Sequence, residues 1–286
     1  MKRYLLGVAL ALGLGISAAG ASTLQEEHAN ALAFSAILDS QSGFFHSILA
    51  AAPNRHDQEV AAPQIAKGLA DYWGVTNRAE LLALLAKMED GSGGQRAFYW
   101  EIYLKVINDP LGSPNELYME YGPKNGPRVH VVSVYCLHPV GKALPISAWD
   151  FGRYISVCRM GYMAGWLTED EAWARIMPVA RMLQASFSSW SDYAFDYVMG
   201  REFWQPEQLG MMYDVREVVR QLQRPDGGLW SAVPFGSPLG KGPVFVDPLA
   251  TSLLAGFVPR NWDYPNTSYD TPGLDMIKVR TAVDPK

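Results

Sequence analysis

The chain is poor in the residues and runs that usually announce chemistry. It holds two cysteines, Cys136 and Cys158, too few for a thiolate metal cage or a disulfide-dense scaffold. It has no cluster of lysines or arginines, and acidic residues outnumber basic ones by 29 to 24. Phosphate backbones demand clustered cations, so no nucleic-acid partner is expected. A Gly-x-Ser-x-Gly elbow, a P-loop, a Gly-x-Gly-x-x-Gly after a strand and a His-Glu-x-x-His pair are all absent. "EDGSGGQ" and "FGSPLG" approach the elbow but read as turns. The histidines, His28, His46, His56, His130 and His138, show no ligand spacing. His130 and His138 would stand about 12 Å apart on a helix, too far to share an ion. Cys136 and His138 are two apart and would point in different directions on a helix. No metal, cofactor or cysteine nucleophile is expected.

Long apolar runs are equally scarce beyond the first residues. The opening "MKRYLLGVALALGLGISAAGAS" places Lys2 and Arg3 before an uncharged stretch that ends in Ala19-Gly20-Ala21. That order is the pattern of a secretory signal peptide, with cleavage expected after Ala21. Its apolar part is shorter than the roughly 20 residues of a spanning helix, so a periplasmic mature chain is the expectation and an N-terminal membrane anchor the alternative. Cys136 and Cys158 both lie in apolar stretches, where they can bridge or simply pack as small hydrophobes.

What is present is core material: 49% hydrophobic residues, 12% of the chain aromatic. Its periodicity predicts a mainly α fold, a compact multi-helix domain of short antiparallel helices with a Pro/Gly-rich tail packed on it. The expected division is a signal peptide at 1–21, an N-terminal helical segment at 22–70, a helical core at 71–224 and a Pro/Gly-rich extension at 225–286. "AAPNRHDQEVAAP" reads as a connector before a short helix ending near Gly74. Asn77 and Glu80 form a capping pattern for a helix stopping by Gly91, and "GGQRAFYWEIYLKVIND" supplies the next. "DPLGSPNELYMEYGPKNGP" reads as turns. "RVHVVSVYCLH" suits strand or helix, and helix is preferred because its neighbours are helical.

Charge enters an otherwise apolar region at 148–176. Ser147-x-x-Asp150, Thr168-x-x-Glu171 and Ser189-x-x-Asp192 each set an acid three residues after a hydroxyl. At a helix start the hydroxyl accepts from the third amide and the acid faces the positive end of the dipole. All three acids are therefore read as helix starters. Gly165 should end the first helix in a left-handed turn, and Pro178 should kink the second. Ile176, Met177, Ala180, Leu183 and Phe187 form that helix's buried stripe. Arg153, one turn beyond Asp150, would be costly unpaired and is expected in an ion pair.

The stretch from Ile146 to Trp204 resembles an uncharacterised bacterial family, catalogued as domain of unknown function 1266. Trp149-Asp150-x-x-Arg153, Gly161-Tyr162-x-x-Gly165, Glu171-Ala172-Trp173, Ser189-Trp190 and Gly200-Arg201-x-Phe203-Trp204 carry the likeness. The resemblance extends from Tyr72 onward. It implies a helical domain and a bacterial source, and brings no reaction and no functional residue.

Two functional expectations follow. The first is an exported, non-catalytic helical protein with a protein partner in the cell envelope, immunity- or inhibitor-like in one version. Trp230 and Trp262, in the Pro/Gly-rich tail, are its candidate contact residues. The second is a hydrolase-type enzyme whose pocket gathers Asp150, Arg153, Glu171 and Arg201, with an arginine holding a carboxylate or phosphate and an acid acting as base.

Overall fold

The computed structural model describes residues 23–93, 95–108, 114–137, 145–206 and 209–254. The expected signal peptide, Trp262, His138 and the end of the tail lie outside the described residues. Within them the chain is helical, with no strand. α1 (Leu24–Leu32) runs through a 3-10 turn at Ala33–Ser35 into α2 (Ala36–Ser42). Then come α3 (Arg55–Trp73), α4 (Arg78–Asp90), α5 (Arg96–Asn108), α6 (Pro114–Leu137), α7 (Ser147–Met163), α8 (Glu169–Ser186) and α9 (Trp190–Trp204). α10 (Leu209–Leu222), α11 (Leu229–Ala232) and α12 (Pro248–Leu254) complete the order.

α7 is the hub. All its residues except Arg153 and Tyr162 are buried, as an all-round apolar sequence requires. It packs against α2, α3, α4, α8, α9 and the 3-10 turn. Its approach to α9 depends on two glycines. A Cβ on Gly200 would fall 2.2 Å from the Cβ of Trp149, and one on Gly152 would fall 2.4 Å from the Tyr193 hydroxyl. These pairings run in opposite directions along the two helices, so α7 and α9 are antiparallel.

Local signals set several boundaries. Thr168 and Glu171 form a complete capping box for α8. The Asn77 and Ser189 side chains accept from the amides of Glu80 and Asp192 at the heads of α4 and α9. Gly74, Gly91 and Gly165 take positive φ where helices stop. The expected stripe of α8 is buried, Phe187 included, and the helix is continuous through Pro178.

Three local readings are corrected. Ser147 does not cap α7; the cap is Ile146, in the left-handed region at φ 59, with no side-chain bond of its own. Asp196 on α9 supplies the acceptors, taking the amides of Ile146 at 2.8 Å and Ala148 at 2.6 Å. The "connector" before Pro63 is the first half of α3, started by Asn54, which accepts from the Asp57 amide at 2.9 Å. The proline-rich stretch from Pro114 to Pro127 is helical too, broken at Gly122, which takes a positive φ of 69°.

The Pro/Gly-rich segment lies over α8 as a strap. Arg181 donates to the carbonyls of Leu239, Gly240, Lys241 and Pro243, and Gln184 to those of Phe235 and Ser237. Side-chain donors thus meet several backbone acceptors of this irregular stretch, which is how a loop without secondary structure remains in place.

Candidate functional site

The acid expected to begin α7 is a buried ion-pair residue. Asp150 is 4% exposed and both its oxygens are committed: Oδ1 accepts from Arg153 Nη2 at 2.5 Å, Oδ2 from Arg96 Nε at 3.2 Å. Arg96 also donates to Asp247 on the strap and, at 3.1 Å, to the carbonyl of Met88. Two carboxylates and two guanidinium groups thus neutralise one another, the condition under which charges are tolerated in a core. Phe151 lies 4.3 Å from the Arg96 Cζ and Trp149 lies 4.1 Å from that of Arg153, completing the enclosure.

Glu171 is not part of this group. It sits beyond the far end of α7, whereas Asp150 is in that helix's first turn, and the helix between spans roughly 20 Å. Glu171 binds Arg78 at 2.7 Å with 40% of its side chain exposed. The Arg78 bond, reinforced by the Thr168 amide, holds its carboxyl down at about 2. The four residues of the hydrolase reading therefore do not share a pocket: Asp150 and Arg153 meet, and Glu171 stands apart.

A second charged group gives Arg159, which like Arg153 and Arg201 is expected from the sequence to form an ion pair, a partner that the sequence does not point to. Arg159 and Asp39, both fully buried, pair at 2.8 Å. Ser35 and Ser156 donate to Asp39 at 2.6 and 2.9 Å. Arg159 also donates to the carbonyls of Leu49 at 3.2 Å and Ile48 at 2.6 Å, and to that of Phe45. Neither Asp39 nor Arg96 stands near its partner in sequence, so no spacing rule could flag them. Nearby, Glu89 accepts from Tyr154 at 2.5 Å and from Arg175 at 2.9 Å. Cys158 is a free thiol in this core, pushed up to about 12 by burial, which makes it inert as a nucleophile.

Arg201 lies on α9 at 2% exposure. Its Nη1 and Nη2 have no hydrogen-bond partner, and burial lowers its affinity for its proton. One turn earlier the Tyr197 hydroxyl is likewise idle, as is the indole Nε1 of Trp149 across the helix interface. Next to Arg201, Glu202 is 1% exposed and its carboxyl is raised by burial to about 7, with Arg216 and Arg201 opposing the shift.

Among the described residues no group of three or more His, Cys, Asp or Glu side chains could hold a metal. No described helix is long and apolar enough to cross a membrane. His46 Nε2 lies 3.2 Å from the Ser40 hydroxyl, but its Nδ1 has no partner, so no carboxylate orients the ring as a serine-activating base requires. Trp230, a candidate contact residue, is 4% exposed. It stacks on Trp190 at 4.9 Å and donates to the Ala33 carbonyl at 3.1 Å, so it pins the strap and offers no outer face.

Comparison with known proteins places this arrangement in context. The family described as "Protein of unknown function (DUF1266)" matches residues 68–235, which hold Asp150, Arg153, Glu171 and Arg201. The uncharacterised Escherichia coli (strain K12) protein YbeR is 26% identical over 173 residues, 56% of this chain and 66% of YbeR. YbeU of the same strain, also uncharacterised, is 28% identical over 158 residues, 53% of this chain and 63% of YbeU. The chain thus spans just under two thirds of the length of these relatives. No solved structure matches.

Proposed function

The chain belongs to the DUF1266 family of proteins of unknown function, and from that premise we propose that it is an exported, non-catalytic helical protein that binds another macromolecule of the cell envelope. An immunity- or inhibitor-like role toward a protein partner is one form of this reading. The observation that carries it is the closure of Asp150: both carboxylate oxygens are held by arginines in a nearly solvent-free site. A general base must reach a substrate proton, and this acid reaches only its own counter-ions. The hydrolase reading loses its base there, and Glu171 is engaged elsewhere. Contact area is available on α3, where Leu69 alone is buried and Val60 and Tyr72 are 65% and 87% exposed.

The test is capture from the envelope fraction by the chain lacking residues 1–21. A reproducible protein partner, retained by a folded Arg153→Ala variant and lost when Tyr72 and Val60 are replaced by serine, is the expected outcome. Hydrolytic turnover abolished by Asp150→Asn in a protein of unchanged stability would return the molecule to the enzymes.

A further inference from the structure

Arg201 is a buried cation with no salt bridge to a described residue; the adjacent Glu202 acts on it only at longer range and is itself raised toward neutrality by burial. No carboxylate oxygen among the described residues comes within 4.0 Å of it, and both terminal nitrogens are idle. A guanidinium with idle terminal nitrogens is costly in a core. Two idle donors stand beside it, and one turn further on is an idle acceptor, Gln205 Oε1, which the guanidinium does not reach. Tyr197 is one turn back on the same face of α9, 1% exposed with its hydroxyl unbonded. Trp149, 5% exposed, has its ring 5.0 Å from that of Tyr197 and its Nε1 unbonded. Trp204 adjoins both sides, 5.9 Å from the Trp149 ring and 5.1 Å from the Arg201 Cζ. At 36% exposure it is the member of the group that reaches solvent.

Indole and guanidinium N–H groups can only donate, and burial raises the Tyr197 hydroxyl so that it keeps its proton. Donors gathered at a guanidinium that no carboxylate bonds suit an oxyanion. Its charge selects which. A phosphate monoester brings about −1.5 to −2 at neutral pH, more than one guanidinium balances, whereas a carboxylate brings one charge and two oxygens that match the arginine fork.

We propose that the junction of α7 and α9 is a binding site for a carboxylate-bearing small molecule. Arg201 Nη1 and Nη2 take the carboxylate, Trp149 Nε1 and the Tyr197 hydroxyl add donors, and the ligand's apolar body lies against Trp204. Gly200 permits the close approach that brings Trp149 to this group. The inference stands on idle donors and does not depend on a macromolecular partner.

Trp149 and Trp204 serve as reporters. The full chain is titrated with benzoate, acetate and inorganic phosphate, with chloride at matched ionic strength as control, while tryptophan fluorescence is followed. Saturable binding of benzoate is expected, weakened about tenfold or more in Arg201→Met, the size of a lost charge-assisted bond. Tyr197→Phe should weaken it severalfold, and Arg201→Lys, which keeps the charge and loses the fork, should fall between. These two variants carry the test if Arg201→Met does not fold. No saturable response to either carboxylate, equal responses in wild type and variants, or preference for phosphate would each overturn the assignment. So would a benzoate-soaked crystal with water alone around Arg201. The envelope capture experiment reads a different surface, so either idea can fail without the other.

Discussion

Arg159 ties the N-terminal helices to the hub with one guanidinium. Asp39 neutralises it, and carbonyls from Phe45 to Leu49, in a stretch without regular structure, take its remaining donors. Arg159→Met should therefore do more than remove an ion pair, because it leaves a buried carboxylate with two serine hydroxyls but no counter-ion, and several carbonyls without their donor. A loss of roughly 3–5 kcal/mol is expected, read from urea unfolding. Replacing Asp39 by Asn as well should recover part of it, since the stranded charge goes. A loss under about 1 kcal/mol would mean that water reaches the site and the pairing organises little. At this scale the sequence was partly legible. Arg153 was expected to pair and does so with the acid one turn away. Arg159 stands 120 residues from Asp39, and such a separation leaves no periodic trace.

Helix starts divide by where they lie. The heads of α4 and α8 are at the surface, and there the residue that caps is next in the chain, so Asn77 and Thr168 could be recognised from spacing. The head of α7 is buried among other helices, and its orphan amides are met by Asp196, which follows Asp150 by almost fifty residues. The same hydroxyl-x-x-acid pattern thus has two outcomes, and burial decides between them. α3 was misread for a related reason: Pro63 and the polar residues before it suggest a connector, yet an exposed helix tolerates both once Asn54 begins it. Measured by urea unfolding, Asp196→Ala should cost about 1–3 kcal/mol through its two stranded amides, and Thr168→Ala about 1 kcal/mol. Ser147→Ala should cost less than either. An Ser147→Ala penalty equal to that of Asp196→Ala would restore the local cap.

Across the whole molecule, what the sequence conveyed was the helical class, the buried centre and the strap, because apolar content and Pro/Gly density are properties of whole segments. The titration of the folded state was hidden, because it depends on which charges the packing encloses. Glu202 has an ordinary value of 4.5 and a folded value near 7. Between those two, the unfolded chain is ionised at this position while the folded chain keeps its proton, so the native state binds more protons and its stability falls as pH rises. The fall is absent below 4.5, complete above 7, and amounts to roughly 3 kcal/mol. Other groups act in other senses. Glu171, depressed to about 2, stabilises above 4.5 and loses that contribution as pH drops toward 2. His28, His46 and His130, all lowered by burial, favour the native state more as pH rises through their range, against the Glu202 trend. The variant Glu202→Gln isolates the one term, since glutamine imitates the protonated acid at every pH. Relative to wild type it should be nearly neutral below 4.5 and increasingly stabilising up to 7, then level. Urea unfolding of both proteins across this range gives the difference directly, and a difference that does not change with pH would mean that Glu202 ionises in the native state at its ordinary value.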